Sequence, residues 1–465
     1  MISVAGGLLV LPMLVPLMEA QSPGTGLNPT VQKIVAAVSE ERIAATMKKL
    51  ESFGTRYILS SQDNPERGIG AAQRWLHGEL KSYSPRLEVS YDRFPVRKNP
   101  PRVPEDVELA NVVAVLPGTI NKDRYVIIGG HYDSITLGRG QRPAEGASPS
   151  TPSSPPDVNR PAPGVVDNAS GTAAVLEPAR VISQFEFDKT VVFIAFSAEE
   201  VGLLGSRAYA SRAKENKMAI EAMLNNDIIG SDVTGDGRSA SSRVRVFAEG
   251  PDDSPARGLA RYVKEIGERY FPSMTVDMVY RRDRFGRGGD HTSFTREGFA
   301  AVRFTTPSEF YANQHSATDT FANASVPYTS RVVRVNGAVL ASLALAPKPP
   351  VLTREGAQQG AQQGGGQRRG PRIMLTRGRS GYDAAMQWTH PNPESDIAGY
   401  TVLIRSTTSP HWQREIFVGN VTQFTIPNLS IDDVVIGIKA IDKDGNPSLA
   451  AVYDLPAPRF PGDPP

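Results

Sequence analysis

The amino-acid sequence predicts an α/β layer structure followed by a small β-sandwich, and three observations support this organisation. Between residues 28 and 348, short β-branched runs alternate with longer helical patterns, which is typical of strands joined by crossover helices. A Gln/Gly-rich stretch at residues 349–375 lacks core-forming residues and is expected to be a flexible linker. Residues 376–458 then carry short alternating strands separated by turn residues, as in a β-sandwich.

The strands predicted in the first region are short apolar runs, which are typical of buried strands in an α/β sheet. Helical apolar spacing begins after Asn168 and recurs over residues 201–213, so each of these stretches is expected to pack on the sheet. The predicted strands are residues 111–116, 125–128, 190–196, 222–224 and 300–304, and those of the sandwich are residues 384–388, 400–405, 424–426 and 434–441.

Composition narrows the class of protein. The chain has 465 residues, 40% of them hydrophobic and 22% charged, which indicates a globular protein of two or three domains. A net charge of +2 does not indicate a nucleic-acid-binding protein, which would carry a basic face. Because the chain has no cysteine, a metal site would have to use His, Asp and Glu side chains.

The first twenty residues are interpreted as a signal peptide, which predicts a secreted or periplasmic protein. Residues 2–18 are apolar and uncharged, although the basic residues that usually precede such a stretch are missing. An uncleaved anchor is the alternative. Two prolines within the stretch disfavour a stable membrane span, so no stable membrane insertion is expected.

A Pro/Ser/Gly-rich stretch at residues 138–163 is predicted to be a long surface loop within the first domain. It lies between His131 and Asp167, two candidate functional residues. Such a loop is expected to border the functional site and to limit what enters it.

The strongest local signal is the sequence from Gly129 to Asp133, directly after the predicted strand at residues 125–128. In open α/β sheets, sites form beyond the carboxyl ends of strands, and His131 lies at such an end. Asp133 could accept the ring N–H of His131 and so fix its tautomer. Taken alone, a histidine at a strand end is more often structural than functional.

Acidic residues recur at the other strand ends, which favours a functional interpretation. Glu199 and Glu200 follow the strand at residues 190–196, and Asp227 follows the strand at residues 222–224. Asp167 precedes a predicted helix, where capping of that helix is the alternative role. For the two adjacent glutamates the alternative is a solvated turn.

Two further histidines, His291 and His315, follow these candidates along the chain. His315 belongs to an irregular polar stretch after the last predicted strand, and it is a candidate ligand. His291 follows Asp290, and both are expected to have a structural hydrogen-bonding role near the site, with metal ligation as the alternative for His291.

At this point the sequence resembles peptidase family M28, a family of zinc peptidases with two metal ions. The motifs that carry the resemblance occur in the family order over some two hundred residues. They are Gly130-His131-Tyr132-Asp133, Gly164 to Gly171, Ser197-Ala198-Glu199-Glu200-Val201-Gly202, Asn226-Asp227, Asp290-His291, and His315-Ser316 with Asp319-Thr320.

The resemblance implies a three-layer α/β/α fold with a central mixed sheet and a centre of two Zn²⁺ ions. It implies that Asp167 bridges the ions, that His131 and Asp227 complete one site, and that Glu200 and His315 complete the other. It further implies Glu199 as general base, a metal-bridging hydroxide as nucleophile, peptide as substrate, and a cis peptide bond after Asp167.

The sequence departs from the family pattern in two places. Val166 replaces an additional aspartate that many relatives carry before the bridging one, with little expected effect on metal binding. The stretch at residues 284–289 lacks a tyrosine that some aminopeptidases of the family present to the reaction intermediate. Tyr311 and Arg287 are therefore the candidates for contact with the substrate or its oxyanion.

Several functions are compatible with this resemblance. An aminopeptidase is favoured, whereas a carboxypeptidase or a dipeptidase on the same metal centre is the main alternative. A metal-free binding protein and a glutaminyl cyclase with a single zinc ion are further alternatives on related folds. The C-terminal region, with Trp388 and the strand at Gly399-Tyr400, resembles a fibronectin type III module whose partner the sequence does not identify.

Overall fold

The computed structural model describes residues 26–99, 103–137, 157–283, 288–354, 372–391 and 396–453. A π-turn at Val165–Ala169 and a 3-10 turn at Phe321–Asn323 accompany the regular elements. The helices are α1 Pro29–Ala36, α2 Glu40–Ser52, α3 Ile69–Tyr83, α4 Ser170–Ile182, α5 Leu204–Glu215, α6 Pro255–Tyr270, α7 Asp290–Arg296 and α8 Val326–Leu345. The strands of the first domain are β1 Glu88–Val96, β2 Val107–Leu116, β3 Asn121–His131, β4 Lys189–Phe196, β5 Ala219–Asn226, β6 Arg243–Phe247, β7 Thr275–Val279 and β8 Ala301–Thr305. The C-terminal strands are β9 Thr353–Arg354, β10 Arg372–Ile373, β11 Leu375–Thr376, β12 Ala384–Gln387, β13 Ile397–Ser406, β14 Arg414–Gly419, β15 Gln423–Ile426, β16 Val434–Asp442 and β17 Ala451–Val452.

One mixed sheet of eight strands organises the first domain, in the order β1-β2-β4-β3-β5-β8-β6-β7. The strands β4, β3, β5 and β8 run parallel to one another at its centre. Their register aligns Ile128 with Phe193 on one side and with Leu224 on the other. The carboxyl ends of these central strands therefore lie at the same edge of the sheet.

Helices cover both faces of this sheet, which gives three layers. Alternate residues of a strand point to opposite faces, so Val126 and Ile128 join one core while Ile127 joins the other. The larger core contains buried residues of α1, α2, α3, α4, α6 and α8, and the smaller one contains residues of α5 and α7. All eight residues of β4 are buried, as expected for a central strand. The predicted α/β/α fold with a mixed sheet is confirmed.

All five strands predicted in the first domain lie within or overlap β2, β3, β4, β5 and β8. The helix predicted after Asn168 is α4, and the one predicted over residues 201–213 is α5, which begins only at Leu204. The start is delayed because Gly202 and Leu203 have φ values of 119° and 61°, which belong to a turn.

The C-terminal domain consists mainly of two antiparallel sheets, β11-β12-β15 and β14-β13-β16-β17, around one small core. Trp388 is 2% exposed, and its ring centroid lies 5.4 Å from that of Tyr400. Leu352 and Met374 also belong to this core, so both ends of the linker predicted at residues 349–375 are part of the sandwich instead. The arrangement is consistent with the resemblance to a fibronectin type III module.

Several predicted segments lie partly or wholly outside the described residues. They are the signal peptide at residues 1–20, most of the loop at residues 138–163, and the middle of the linker. Among the residues that the structure describes, no helix has both the length and the apolar character needed to cross a bilayer.

Candidate metal centre

The carboxyl edge of the sheet brings the predicted site residues together. His131 is the last residue of β3, and Asp227 directly follows β5. Glu199 and Glu200 lie in the turn between β4 and α5. Because these strands are parallel neighbours, their ends present the three acidic side chains around one imidazole.

Asp167 reaches the same place from the π-turn that precedes α4. Its backbone, with φ −117° and ψ 86°, is not helical, and the peptide bond to Asn168 is cis, as the family resemblance implies. The carboxylate of Asp319 accepts the backbone N–H groups of Val166 at 2.8 Å and of Asp167 at 2.9 Å. Asp319 therefore fixes the turn that carries the Asp167 carboxylate.

His315 enters from a loop between β8 and α8. Its φ is 50°, in the left-handed region that non-glycine residues seldom adopt. Its carbonyl accepts the N–H of Leu137 at 3.0 Å, and its side chain is 35% exposed. The ring Nε2 lies 3.0 Å from Glu200 Oε2 and 3.2 Å from Asp167 Oδ2.

Asp167 is shared between the two imidazoles. Its Oδ1 lies 3.4 Å from His131 Nε2, and its Oδ2 lies 3.2 Å from His315 Nε2. On the His131 side, Asp227 Oδ1 is 3.5 Å from His131 Nε2. One carboxylate thus faces two separate groups of donors, each with one imidazole and one further carboxylate.

These separations fit a pair of zinc ions. For zinc–ligand distances of about 2.0–2.1 Å in a tetrahedron, neighbouring ligand atoms lie about 3.3 Å apart. His131 Nε2, Glu200 Oε1 and Asp227 Oδ1 are buried atoms with no hydrogen-bond partner, which suits a role as metal ligands. Imidazole and carboxylate donors are the types that zinc accepts when thiolates are absent.

Glu199 lies beside the His131 half of this centre. Ligand atoms of His131, Glu199 and Asp227 lie within 4.8 Å of one another, as do those of His131, Asp167 and Glu200. On distance alone Glu199 could therefore bind a metal or act next to one. Its assignment as general base stays a prediction.

Asp133 holds three of the predicted site residues from a completely buried position. Its carboxylate accepts the N–H of Glu199 at 3.1 Å and of Glu200 at 3.2 Å. His131 Nδ1 lies 3.2 Å from the Asp133 carbonyl and 3.5 Å from its carboxylate. Because a carbonyl only accepts, Nδ1 carries the proton, which leaves the Nε2 lone pair for a metal.

The charges of this centre perturb its pKa values strongly. Burial would raise the pKa of Asp167, but His131 and His315 outweigh it and hold the pKa well below its usual range. Burial would lower the pKa of both histidines, yet the surrounding carboxylates raise both well above the usual range. Burial also raises the pKa of Glu199 well above its usual range, and neighbouring carboxylates add to this effect.

Arg303 is a residue of this region that the sequence analysis missed. It lies on β8 with 1% exposure, and its Nε is 3.1 Å from Asp227 Oδ2. Its Nη1 donates to Asp283 at 2.8 Å and to the Gly288 carbonyl at 3.0 Å. The signal that could have found it is an arginine inside an apolar strand. Such an arginine is expected to be buried, and a buried charge needs an acidic partner nearby.

Arg56 is a second residue that the sequence analysis missed. It is fully buried and donates to the carbonyls of Leu50 at 2.9 Å, Tyr132 at 2.6 Å, Pro163 at 2.7 Å and Gly164 at 2.8 Å. It thereby ties the end of α2 to the residue after His131 and to the turn before Asp167. Burial lowers its pKa to about 10 despite the nearby acidic residues.

The remaining predicted residues have different positions. Asp290 and His291 are buried at the start of α7, and His291 Nε2 lies 3.3 Å from Glu249 Oε1. Burial raises the pKa of Asp290 to about 7. Tyr311 is 43% exposed, and Arg287 lies outside the described residues, so contact of either with a substrate stays a prediction.

Comparisons with known proteins agree with this site. The model of Peptidase family M28 matches residues 111–340, which include every proposed ligand. A probable zinc metalloprotease of Pyrenophora tritici-repentis is 32% identical over 458 residues, covering 91% of this chain and 96% of the relative. One of Pyricularia oryzae is 33% identical, covering 93% and 85%. The family match and these relatives define the protein as a metallopeptidase. It belongs to peptidase family M28.

Solved structures of distant relatives share the fold. The LapA aminopeptidase of Legionella pneumophila is similar with a TM-score of 0.51 at 20% identity, over 74% of this chain and 81% of that one. A glutaminyl cyclase of Macrostomum lignano also reaches 0.51, at 14% identity, over 69% and 94%. Because both reactions occur on this fold, the fold alone does not decide the reaction.

Proposed function

We propose that this protein is an aminopeptidase with two zinc ions. His131 and Asp227 would hold one ion, His315 and Glu200 the other, and Asp167 both. The observation that carries the proposal is the position of the Asp167 carboxylate, whose two oxygens lie 3.4 Å and 3.2 Å from the Nε2 atoms of the two histidines. A carboxylate shared in this way suits two metal ions better than one.

The zinc ions would acidify a water molecule and polarise the carbonyl of the scissile peptide bond. Glu199 accepts the proton of the attacking water and delivers it to the leaving amine. Its backbone is held by the carboxylate of Asp133, which also binds the N–H of Glu200. The base and its neighbouring ligand therefore keep a fixed relative position, which favours catalysis.

The charges around the centre favour a substrate with a free amino terminus. A free carboxyl terminus would need an available cation, as in a carboxypeptidase. Within the described part of the chain, Arg56 and Arg303 are buried beside the centre and donate to carbonyls and carboxylates of the protein itself. The carboxylates that surround the centre instead attract an ammonium group and repel a carboxylate.

The assignment of the base is tested with Glu199→Gln, which keeps the shape of the side chain. We expect kcat to fall by about 10²–10⁴-fold, because general acid–base catalysis contributes that much. The variant should still bind two zinc ions, as measured by elemental analysis. Glu186→Gln is the control, since that side chain is 79% exposed. Activity near that of the wild type in Glu199→Gln would remove Glu199 from this role.

The type of substrate is tested with a panel of matched peptides blocked at one end. An aminopeptidase should hydrolyse only the peptides with a free amino terminus, and chelation should abolish this activity until zinc is restored. Hydrolysis of only those with a free carboxyl terminus would identify a carboxypeptidase. One zinc per chain together with cyclisation of amino-terminal glutamine would identify a glutaminyl cyclase, and absence of metal would favour a binding protein.

A further inference from the structure

The C-terminal sandwich is docked on the peptidase domain through a buried network of arginines. Arg405 Nη2 lies 2.5 Å from Asp253 Oδ2, and Asp253 Oδ1 accepts from Arg261 Nη1 at 3.0 Å. Arg261 Nε donates to the Pro410 carbonyl of the sandwich at 2.9 Å. The side chains of Arg405 and Arg261 are 3% and 6% exposed, so water screens these charges weakly.

Aromatic rings complete this junction. The ring of Trp412, from the sandwich, lies 5.7 Å from the guanidinium carbons of both Arg261 and Arg405, within cation–π range. Tyr280 of the peptidase domain donates its hydroxyl hydrogen to the Pro410 carbonyl at 3.1 Å. At this junction the sandwich contacts one segment of the peptidase domain at Asp253 and another at Tyr280.

The first of these segments leads to the edge of the metal centre. Ser254 follows Asp253 and donates its hydroxyl hydrogen to the Glu249 carbonyl at 3.1 Å. The Glu249 side chain accepts from Thr292 Oγ1 at 3.0 Å and lies 3.3 Å from His291 Nε2. The position of Glu249 against α7 is therefore tied to the loop that Arg405 holds.

The second segment leads to a proposed ligand. Asp283 lies three residues after Tyr280 and accepts from Arg303 Nη1 at 2.8 Å. Arg303 Nε in turn lies 3.1 Å from Asp227 Oδ2. The contacts of the sandwich at Asp253 and at Tyr280 are therefore each linked to the Asp227 side of the centre through a short series of neighbouring residues.

We propose that Arg405 and Trp412 are positioning residues for substrate binding by the peptidase domain. They would hold the flanking wall, which we define as Glu249, Asp283 and His291, in place beside the metal centre. This inference rests on the proposed function, which supplies the peptide substrate. It gives the sandwich a role in the peptidase site, whereas an independent binding module would have none there. The proposed ligands nearest the wall, His131 and Asp227, and the base Glu199 lie on strand ends and the turns next to them, so bracing of the wall affects substrate binding more than chemistry.

The interface also offers a matched control at its other end. Lys439 Nζ lies 2.7 Å from Glu265 Oε1. Helix α6 begins at Pro255, next to the Asp253 contact, and at 1.5 Å per residue Glu265 lies about 15 Å further along this helix. The Tyr262 hydroxyl donates to the Pro447 carbonyl at 3.2 Å nearby. Loss of the Lys439 contact should weaken docking without reaching the flanking wall.

The experiment compares Arg405→Ala, Trp412→Ala and Lys439→Ala in the full-length, zinc-loaded protein. For the first two we expect KM to rise about threefold to tenfold, the range that such networks transmit, with kcat within twofold of the wild type. Their metal content should be unchanged, and hydrogen exchange should accelerate at residues 280–283. Lys439→Ala should lower the thermal midpoint without these changes, and Arg405→Lys should be intermediate in KM.

Equal KM and equal exchange in Arg405→Ala and Lys439→Ala would overturn the inference, because docking alone would then explain the interface. Loss of metal from Arg405→Ala would also overturn it, since the effect would then lie in the metal centre. If the wild type hydrolyses no peptide, the proposed function fails. Faster exchange at residues 280–283 in Arg405→Ala, but not in Lys439→Ala, would still support the bracing.

Discussion

The two halves of the proposed metal centre are built differently. In the half around His131, the histidine ends β3 with 1% exposure, and its neighbour Asp227 is held by the buried Arg303. In the half around His315, the histidine lies on a loop with a φ of 50°, and its side chain is 35% exposed. One half therefore rests on the sheet, whereas the other rests on a loop and a turn.

This difference has a consequence for metal binding. Ligands on strands are held in place by packing, and a site built on them is more precise than one built on loops. A ligand that is partly exposed also exchanges with water more easily. We therefore expect the His131 half to bind its zinc ion more tightly than the His315 half, with Asp167 as the only ligand that the two halves share.

The largest expected effect comes from breaking both halves at once with Asp167→Asn. The amide is neutral and a much weaker zinc ligand than the carboxylate, so both ions should be lost and hydrolysis should fall to background. Elemental analysis after dialysis measures the metal content. Asp157→Asn, an exposed position, is the control. Two zinc ions retained by Asp167→Asn would contradict the shared-carboxylate arrangement.

The second effect should separate the halves. His315→Ala is expected to keep one zinc ion per chain, whereas His131→Ala should lose its ion and also destabilise the metal-free protein. Removal of a fully buried partner leaves uncompensated buried charge, which costs about 3–5 kcal/mol. For the partly exposed His315 the corresponding cost is about 1 kcal/mol or less. Thermal unfolding of the metal-free variants measures both losses of stability. Equal losses in His131→Ala and His315→Ala would contradict the difference between the two halves.

The half built on strands was also the more predictable from sequence. His131 and Asp227 follow apolar runs that are typical of buried strands, and parallel packing brings such ends together. Glu199 and Glu200 follow a third run of this kind. His315 has no comparable local signal, and only the family resemblance placed it at the site.

Residues that support the ligands were not predictable for a different reason. Arg303 forms ion pairs with Asp227 and Asp283, and Arg56 donates hydrogen bonds to carbonyls up to 108 residues away. Such contacts leave no periodic pattern in the sequence. The docking of the sandwich through Arg405 was missed for the same reason, because the Gln/Gly-rich composition of the connecting stretch predicted only flexibility.

A third prediction sharpens the comparison within the His131 half. Arg303→Lys keeps the positive charge but loses the planar fork that bonds to Asp227 and Asp283 together. Outer residues of this kind change metal affinity by about 10–100-fold, so the first zinc ion should bind that much more weakly. Competition with a chelator of known affinity measures this change, and Arg245→Lys, on the neighbouring strand β6, is the control. A loss from the His315 half instead would contradict the assignment of Arg303.

The smallest expected signal is the release of protons when zinc binds. Burial would lower the pKa of both histidines, but the surrounding carboxylates raise it in the metal-free protein, so the protonated imidazolium form of each ring competes with zinc. Binding should therefore release more protons from the wild type than from His315→Ala, since metal ligation requires neutral imidazole. A raised pKa favours the protonated form of each histidine, so zinc affinity should increase as the pH rises toward those pKa values. Above them the histidines are already neutral, and the release of protons should diminish. Calorimetry in two buffers with different ionisation enthalpies gives the number of protons. An equal release from the two proteins would mean that His315 is neutral before the metal arrives, and the carboxylates of Glu200 and Asp167 would then not hold its proton.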